Sequence, residues 1–152
     1  MPLIERFDQA IMLDGDYICR VHPFELGNAA QRSYLFATLE HLVRFHQHNG
    51  YTNFVINYVF ENTDELAELI ALLDPLEPQI HCFWLTCTEA EQAERIRKRG
   101  NGQVAWELKR FKELNAIQGR ASREGFIGER VRTEGQSVQK VVAQIWKKIG
   151  FK

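Results

Sequence analysis

Residues 80–99, Ile-His-Cys-Phe-Trp-Leu-Thr-Cys-Thr-Glu-Ala-Glu-Gln-Ala-Glu-Arg-Ile-Arg-Lys-Arg, leave few folds open. An apolar run rich in strand formers passes through Thr86 and Thr88 into a long polar stretch with helical character. The strand part does not alternate, which is the pattern of a strand covered on both faces. Thr88 with Glu91 three residues on fits a capping box. Glu89, Glu91 and Glu94 come early and Arg95, Arg97, Lys98 and Arg99 late, an order that complements the helix dipole. Gly100 and Gly102 then break the helix. A buried strand feeding a covering helix is the unit of α/β folds.

The same unit recurs along the chain. Gln9–Leu13 is a short apolar run that empties into the turn signal Asp14-Gly15-Asp16. From Asn28 the period becomes 3.6, with Tyr34, Leu35, Leu39, Leu42, Val43 and Phe45 or His46 on one stripe and Asn49-Gly50 as a stop. Asn53–Phe60 reads as a strand with a polar Asn57 inside it. Residues 61–63 lead into a helix that buries Leu66, Leu69, Ile70 and Leu73. Gln103–Gln118 is helical and Gly119–Gly125 reads as a linker. Glu129–Thr133 is a last strand, and Ser137 caps a final helix that buries Val138, Val141, Val142, Ile145, Trp146 and Ile149.

With 152 residues, 45% of them apolar, the chain is expected to be a single α/β domain with a real core. Its sheet is expected to be mostly parallel and covered by helices on both faces. Nineteen Lys and Arg against 20 Asp and Glu give a net charge of -1, so nucleic acid is not an expected partner. There is no apolar run of about eighteen residues to span a membrane. Cys19, Cys82 and Cys87 make an odd set without repeated spacing, read as reduced thiols of a cytoplasmic protein. Their spacing with His81 matches no common zinc site, and the sequence places no acid–base partner beside Cys87.

In open parallel sheets, ligands bind beyond the carboxyl ends of the strands. That rule selects Asp14, Gly15 and Asp16, then Asn57 and Tyr58, then Thr86 and Thr88, then Thr133. A buried Asn57 must find partners and can reach a substrate. Asp14 and Asp16 suit a carboxylate role in catalysis, or else an Asx-turn closing the strand.

The order of these pieces resembles the small P-loop kinases, the class of adenylate, gluconate, shikimate and chloramphenicol kinases. The residues that carry the resemblance are Met12–Ile18, Asn53–Phe60, His81–Thr88 with the basic-ended helix behind it, and Arg130–Ser137. It implies an ATP-dependent phosphotransferase acting on a small-molecule or nucleotide substrate, with ATP and Mg²⁺ as cofactors. It further implies Asp14, Asp16, Arg95 and Arg99 as catalytic residues, facing one shared cleft. Arg20, His22, Asn57 and Arg110 would bind substrate, and Thr133 would lie in the loop that touches the base. Residues 95–125 would form a lid, in which planar guanidinium groups suit phosphoryl oxygens.

One departure is large. The sequence contains no G-x-x-x-x-G-K-[ST], the loop that supplies amides, a Lys and a hydroxyl to phosphates and Mg²⁺. Residues 1–7 resemble only the tail of the helix that follows such a loop. In the resembling family the missing strand lies between those represented by Asn53–Phe60 and Ile80–Thr86, so two central edges are left unpaired or forced together. Three explanations follow: a fragment of a longer product, a sheet that closes without that strand, or a partner chain that completes it by strand addition. The alternative function is a non-catalytic relative serving as a binding or interaction module. It predicts a homodimer or a rearranged sheet to cover those edges.

Overall fold

The computed structural model describes residues 2–18, 20–76, 78–100 and 102–150. The α/β alternation is present, with every strand pairing parallel. The expected single sheet is not. The strands form two separate two-stranded sheets, β1 (Ala10–Asp14) with β2 (Asn53–Asn57) and β3 (Phe83–Thr86) with β4 (Glu129–Arg132). Strands β2 and β3 are not forced together. Each keeps one edge without a strand partner among the described residues.

The chain accordingly divides into two compact units, Met1–Val59 with Asp64–Ile80, and Phe60–Thr63 with His81–Lys152. In the first, β1 and β2 run in register from Ala10 opposite Asn53 to Asp14 opposite Asn57. They are joined through α2 (Ala29–His48), which therefore runs back against the strand direction. Asn28 caps α2 by accepting from the Gln31 amide at 3.1 Å. At the far end the amides of Thr52 and Asn53 both donate to the Gln9 carbonyl, which starts β2 beside β1. The buried residues of α2 are Leu35, Phe36, Leu39 and Val43. Tyr34 and Phe45, expected on that face, are exposed and Phe36 takes the central place. Helix α3 (Thr63–Leu73) buries Leu66, Leu69 and Leu73. It also buries Glu65, which pairs with Arg32 at 3.2 Å, as a nearly enclosed carboxylate must.

In the second unit α4 (Glu89–Arg99) begins and ends where its caps require. Thr88 accepts from the Glu91 amide, and Gly100 takes a left-handed conformation at φ 58°. Residues 119–124, read as linker, continue α5 (Val104–Glu124). A glycine inside a helix costs about 1 kcal/mol, which the burial of Leu114 and Ala121 on the same helix offsets. Ser137 caps α6 (Val138–Lys148). Its buried residues are Val142 and Ile145, whereas Val138 is exposed. No described helix is long and apolar enough to cross a membrane.

Covering of both sheet faces is also incomplete. Met12 in β1 and Leu85 in β3 are exposed, and Val131 is the one buried residue of β4. A two-stranded sheet offers too little surface to be sealed on both sides.

Candidate functional site

Strand β1 ends at Asp14, and the chain turns at once into the short helix α1 (Gly15–Ile18). That turn needs a glycine for space. A Cβ on Gly15 would stand 2.6 Å from Cδ2 of Tyr58. The Tyr58 ring in turn meets Phe36 edge-on, with centroids 5.6 Å apart. Asp14 is fully engaged: Oδ1 accepts from the Asp16 amide at 3.0 Å, and Oδ2 accepts from Asn57 Nδ2 at 2.9 Å. Its carboxylate closes the turn and ties the ends of β1 and β2 together. Asn57 is thus the last residue of β2 rather than a position inside a longer strand, and it is exposed, not buried.

Asp16 differs from its neighbour. No side-chain hydrogen bond engages its carboxylate among the described residues. Partial desolvation, and secondly the Asp14 charge, raise its pKa above the ordinary carboxyl value. Much of the side chain remains open to solvent. The sign follows directly. The folded protein holds this proton more tightly than the unfolded chain does, so stability falls as pH rises from the ordinary carboxyl range through the raised value, and is then level. Asp16→Asn removes the penalty. We expect the variant to match the parent near pH ~3 and to exceed it near pH ~7, by less than about 1 kcal/mol because solvent screens the group. Urea unfolding at the two pH values measures this.

Arg20 and His22 are exposed in the segment that follows, and neither has a hydrogen-bond partner among the described residues. The first unit therefore brings Asp14, Asp16 and Asn57 together at the carboxyl edge of β1–β2.

The second unit holds the remaining candidates, and each arginine has an internal partner. Arg95 donates to Oγ1 of Thr133 at 3.1 Å and to its carbonyl at 2.9 Å, and pairs with Glu91. Arg99 reaches the buried Glu107 at 2.7 Å. Arg110 pairs with Glu61 and lies 3.9 Å from Glu113. Thr133 is buried, its amide and hydroxyl both donating to the Thr86 carbonyl at 2.7 and 3.2 Å. Arg95 and Thr133, drawn from distant parts of the chain, thus form one clasp between α4 and the loop after β4. Glu91 completes it by accepting from the Gly135 amide at 2.9 Å. The Glu91 carboxylate was expected to close a capping box and serves this clasp instead. Its spacing of four residues from Arg95 is the signal that could have shown it.

Among the described residues there is no group of three His, Cys, Asp or Glu able to hold a metal ion. Mg²⁺ bound through one or two carboxylates and substrate phosphates needs no such group, so Asp16 fits that ion by its chemistry. For ATP the fit fails, because the sequence has no phosphate-cradling loop and the candidate arginines are already paired.

Small parallel strand pairs with helices between them, and an acidic turn at the carboxyl edge of the first pair, define a mixed α/β protein. Among solved structures, the Deinococcus radiodurans tunicamycin resistance protein is similar, with a TM-score of 0.66 and 18% identity over 99% of this chain and 88% of that chain. That likeness is one of fold. No protein-family model matches the chain, and no curated relative matches it.

Proposed function

We propose that this chain is the acceptor-binding part of a kinase-like phosphotransferase acting on a small-molecule or nucleotide substrate. Asp16 is the carboxylate that receives the proton of the acceptor hydroxyl. The observation that carries this is the division of labour at the turn. Both oxygens of Asp14 are occupied by the protein, while Asp16, two residues on, is free and has a raised proton affinity. A general base needs a reachable carboxylate whose pKa lies toward the working pH. Arg20 and His22 lie close by in the chain to touch the acceptor. ATP and Mg²⁺ are the cofactors this reading calls for, and the sequence has no G-x-x-x-x-G-K-[ST] loop to cradle the phosphates. No step through ATP is assigned to the residues present.

A second reading, a non-catalytic binding module of the same fold, draws support from the ion pairs of Arg95, Arg99 and Arg110. Free lid arginines would suit phosphoryl transfer better. Calorimetric titration of the protein purified from its native source with ATP-Mg²⁺, beside an intact-mass measurement, separates the two. Saturable binding is the expected result, and its absence selects the binding module. Tunicamycin belongs in the acceptor panel, because the similar solved protein is named for resistance to it.

A further inference from the structure

The strand pair of the second unit carries positive charge on one face. Side chains alternate along a strand, so Trp84 and Thr86 of β3 share a face with Arg130 and Arg132 of β4, which stand opposite them in the register. Glu129 is the one carboxylate of the two strands. It falls on the other face, where Lys148 of α6 pairs with it. Unlike Arg95, Arg99 and Arg110, neither Arg130 nor Arg132 forms an ion pair among the described residues, and Glu134, two residues past Arg132, forms none with it. Both arginines are exposed.

Arg130 is nevertheless held in place. Its Nε donates to Thr86 Oγ1 at 3.2 Å, and its guanidinium carbon lies over the Trp84 ring, 5.5 Å from the centroid. The groups it rests on are fixed in turn. Trp84 Nε1 donates to Gln118 Oε1 of α5 at 3.2 Å, and the Thr86 carbonyl accepts from both the amide and the hydroxyl of Thr133. Only the Nε–H of Arg130 is used, which leaves the N–H groups of both terminal nitrogens. Thr86 Oγ1 accepts from Arg130 and keeps its own O–H to donate. Arg132 stands directly opposite Thr86, about 6.6 Å along the strand from Arg130. Its carbonyl is anchored by Gln136 Nε2 at 2.9 Å, while its guanidinium has no hydrogen-bond partner among the described residues.

Two like charges at neighbouring positions of one strand face repel each other, and an anion between them removes the repulsion. The place suits a ligand as well. Thr86 and Arg132 are the last residues of β3 and β4, the carboxyl edge at which parallel sheets bind small molecules.

We infer that Arg130, Arg132 and Thr86 form a binding site for the dianionic head of a small phosphate monoester. Guanidinium forks meet phosphate oxygens two at a time, the two positive charges match the dianion, and the Thr86 hydroxyl adds a further donor. A monocarboxylate would leave one arginine unanswered. A nucleic-acid backbone offers singly charged phosphodiesters, and a chain of net charge -1 does not draw a polyanion. The Asp14–Asp16 turn belongs to the other unit and takes no part, so this site does not rest on the acceptor reading.

The test uses the full chain and methyl phosphate at pH ~8, where the monoester is a dianion. The readout is the Nε–H resonances of Arg130 and Arg132 with the amides of residues 84–86 and 130–133. The expected result is a saturable shift with methyl phosphate, none with acetate at matched ionic strength, and binding weakened about tenfold in Arg132→Gln. Arg132 is exposed and its side chain holds nothing else, so the variant keeps the parent's spectrum elsewhere. Equal shifts with acetate would reduce the effect to counter-ion screening and overturn the inference. Binding that Arg132→Gln leaves unchanged would overturn it too. A short single-stranded oligonucleotide that moves these resonances where methyl phosphate does not would assign the face to a nucleic-acid backbone instead.

Discussion

Gly128→Ala is expected to cost the protein about 3 kcal/mol or more of stability. Gly128 stands immediately before β4 with φ at 119°, a conformation that L residues rarely adopt. A Cβ there would lie 2.9 Å from the Trp84 amide nitrogen and 3.0 Å from the Phe83 carbonyl carbon. Both are backbone atoms of β3, so no side-chain rotation relieves the clash. The strand would have to withdraw, and with it the hydrogen bond from the Glu129 amide to the Cys82 carbonyl at 2.7 Å. Gly135→Ala is the control. It also has positive φ, 61°, but nothing lies within 4 Å of the added carbon. Its cost should be limited to the left-handed penalty, about 1–2 kcal/mol. Urea unfolding followed by tryptophan fluorescence compares the two. Equal losses would mean that backbone conformation alone, and not contact with β3, makes Gly128 necessary.

Such a close approach cannot be read from sequence, because it depends on which strands become neighbours. The helices were legible where their ends carried chemistry. Asn28, Thr88 and Ser137 cap α2, α4 and α6, and Gly100 ends α4. The core face of α2 was legible only in part. Tyr34 and Phe36 flank Leu35 at about equal angles around the helix, so periodicity cannot choose between them. The Tyr58 ring decides it, by offering Phe36 an edge-on partner. Gly119 misled in the other direction, since a glycine read as a linker sits inside α5.

The candidate site divides in the same way. The Asp14-Gly15-Asp16 turn was found from topology alone, as the polar end of a buried run. Which of its two carboxylates is free could not be found so, because that depends on Asn57, 43 residues away. The arginines show the limit more sharply. Their residue type and position on α4 and α5 suggested a phosphate lid, yet how freely a guanidinium can meet a ligand depends on which carboxylates already engage it. Glu61 lies 49 residues from Arg110, and Glu107 eight residues from Arg99. Neither pairing leaves a trace in local sequence pattern. The two open central edges expected from the resembling family are not singled out, because among the described residues each of the four strands keeps one edge without a strand partner.

The second large effect is expected at Phe36, which is fully buried in α2. Phe36→Ala should destabilise by about 3–5 kcal/mol, the usual cost of removing an enclosed phenyl group and leaving a cavity. Against a total stability of about 5–15 kcal/mol for an ordinary domain, that loss can unfold the first unit outright. Phe36→Leu keeps most of the volume and should cost only about 1 kcal/mol, which allows the folded state to be observed. Tyr58 then loses its edge-on partner. The same ring limits the space above Gly15, so freedom gained by Tyr58 passes to the turn that carries Asp14 and Asp16. Urea unfolding measures the first effect, and the amide resonances of Gly15 and Asp16 in the Leu variant report the second. If those resonances keep the parent's positions while stability drops, Tyr58 is held by other contacts and the turn does not depend on the core of α2. If they shift, the carboxylate proposed as the base is positioned by the Phe36–Tyr58 ring pair, one ring on α2 and the other just past β2, and substitutions there should alter acceptor binding without touching the acceptor.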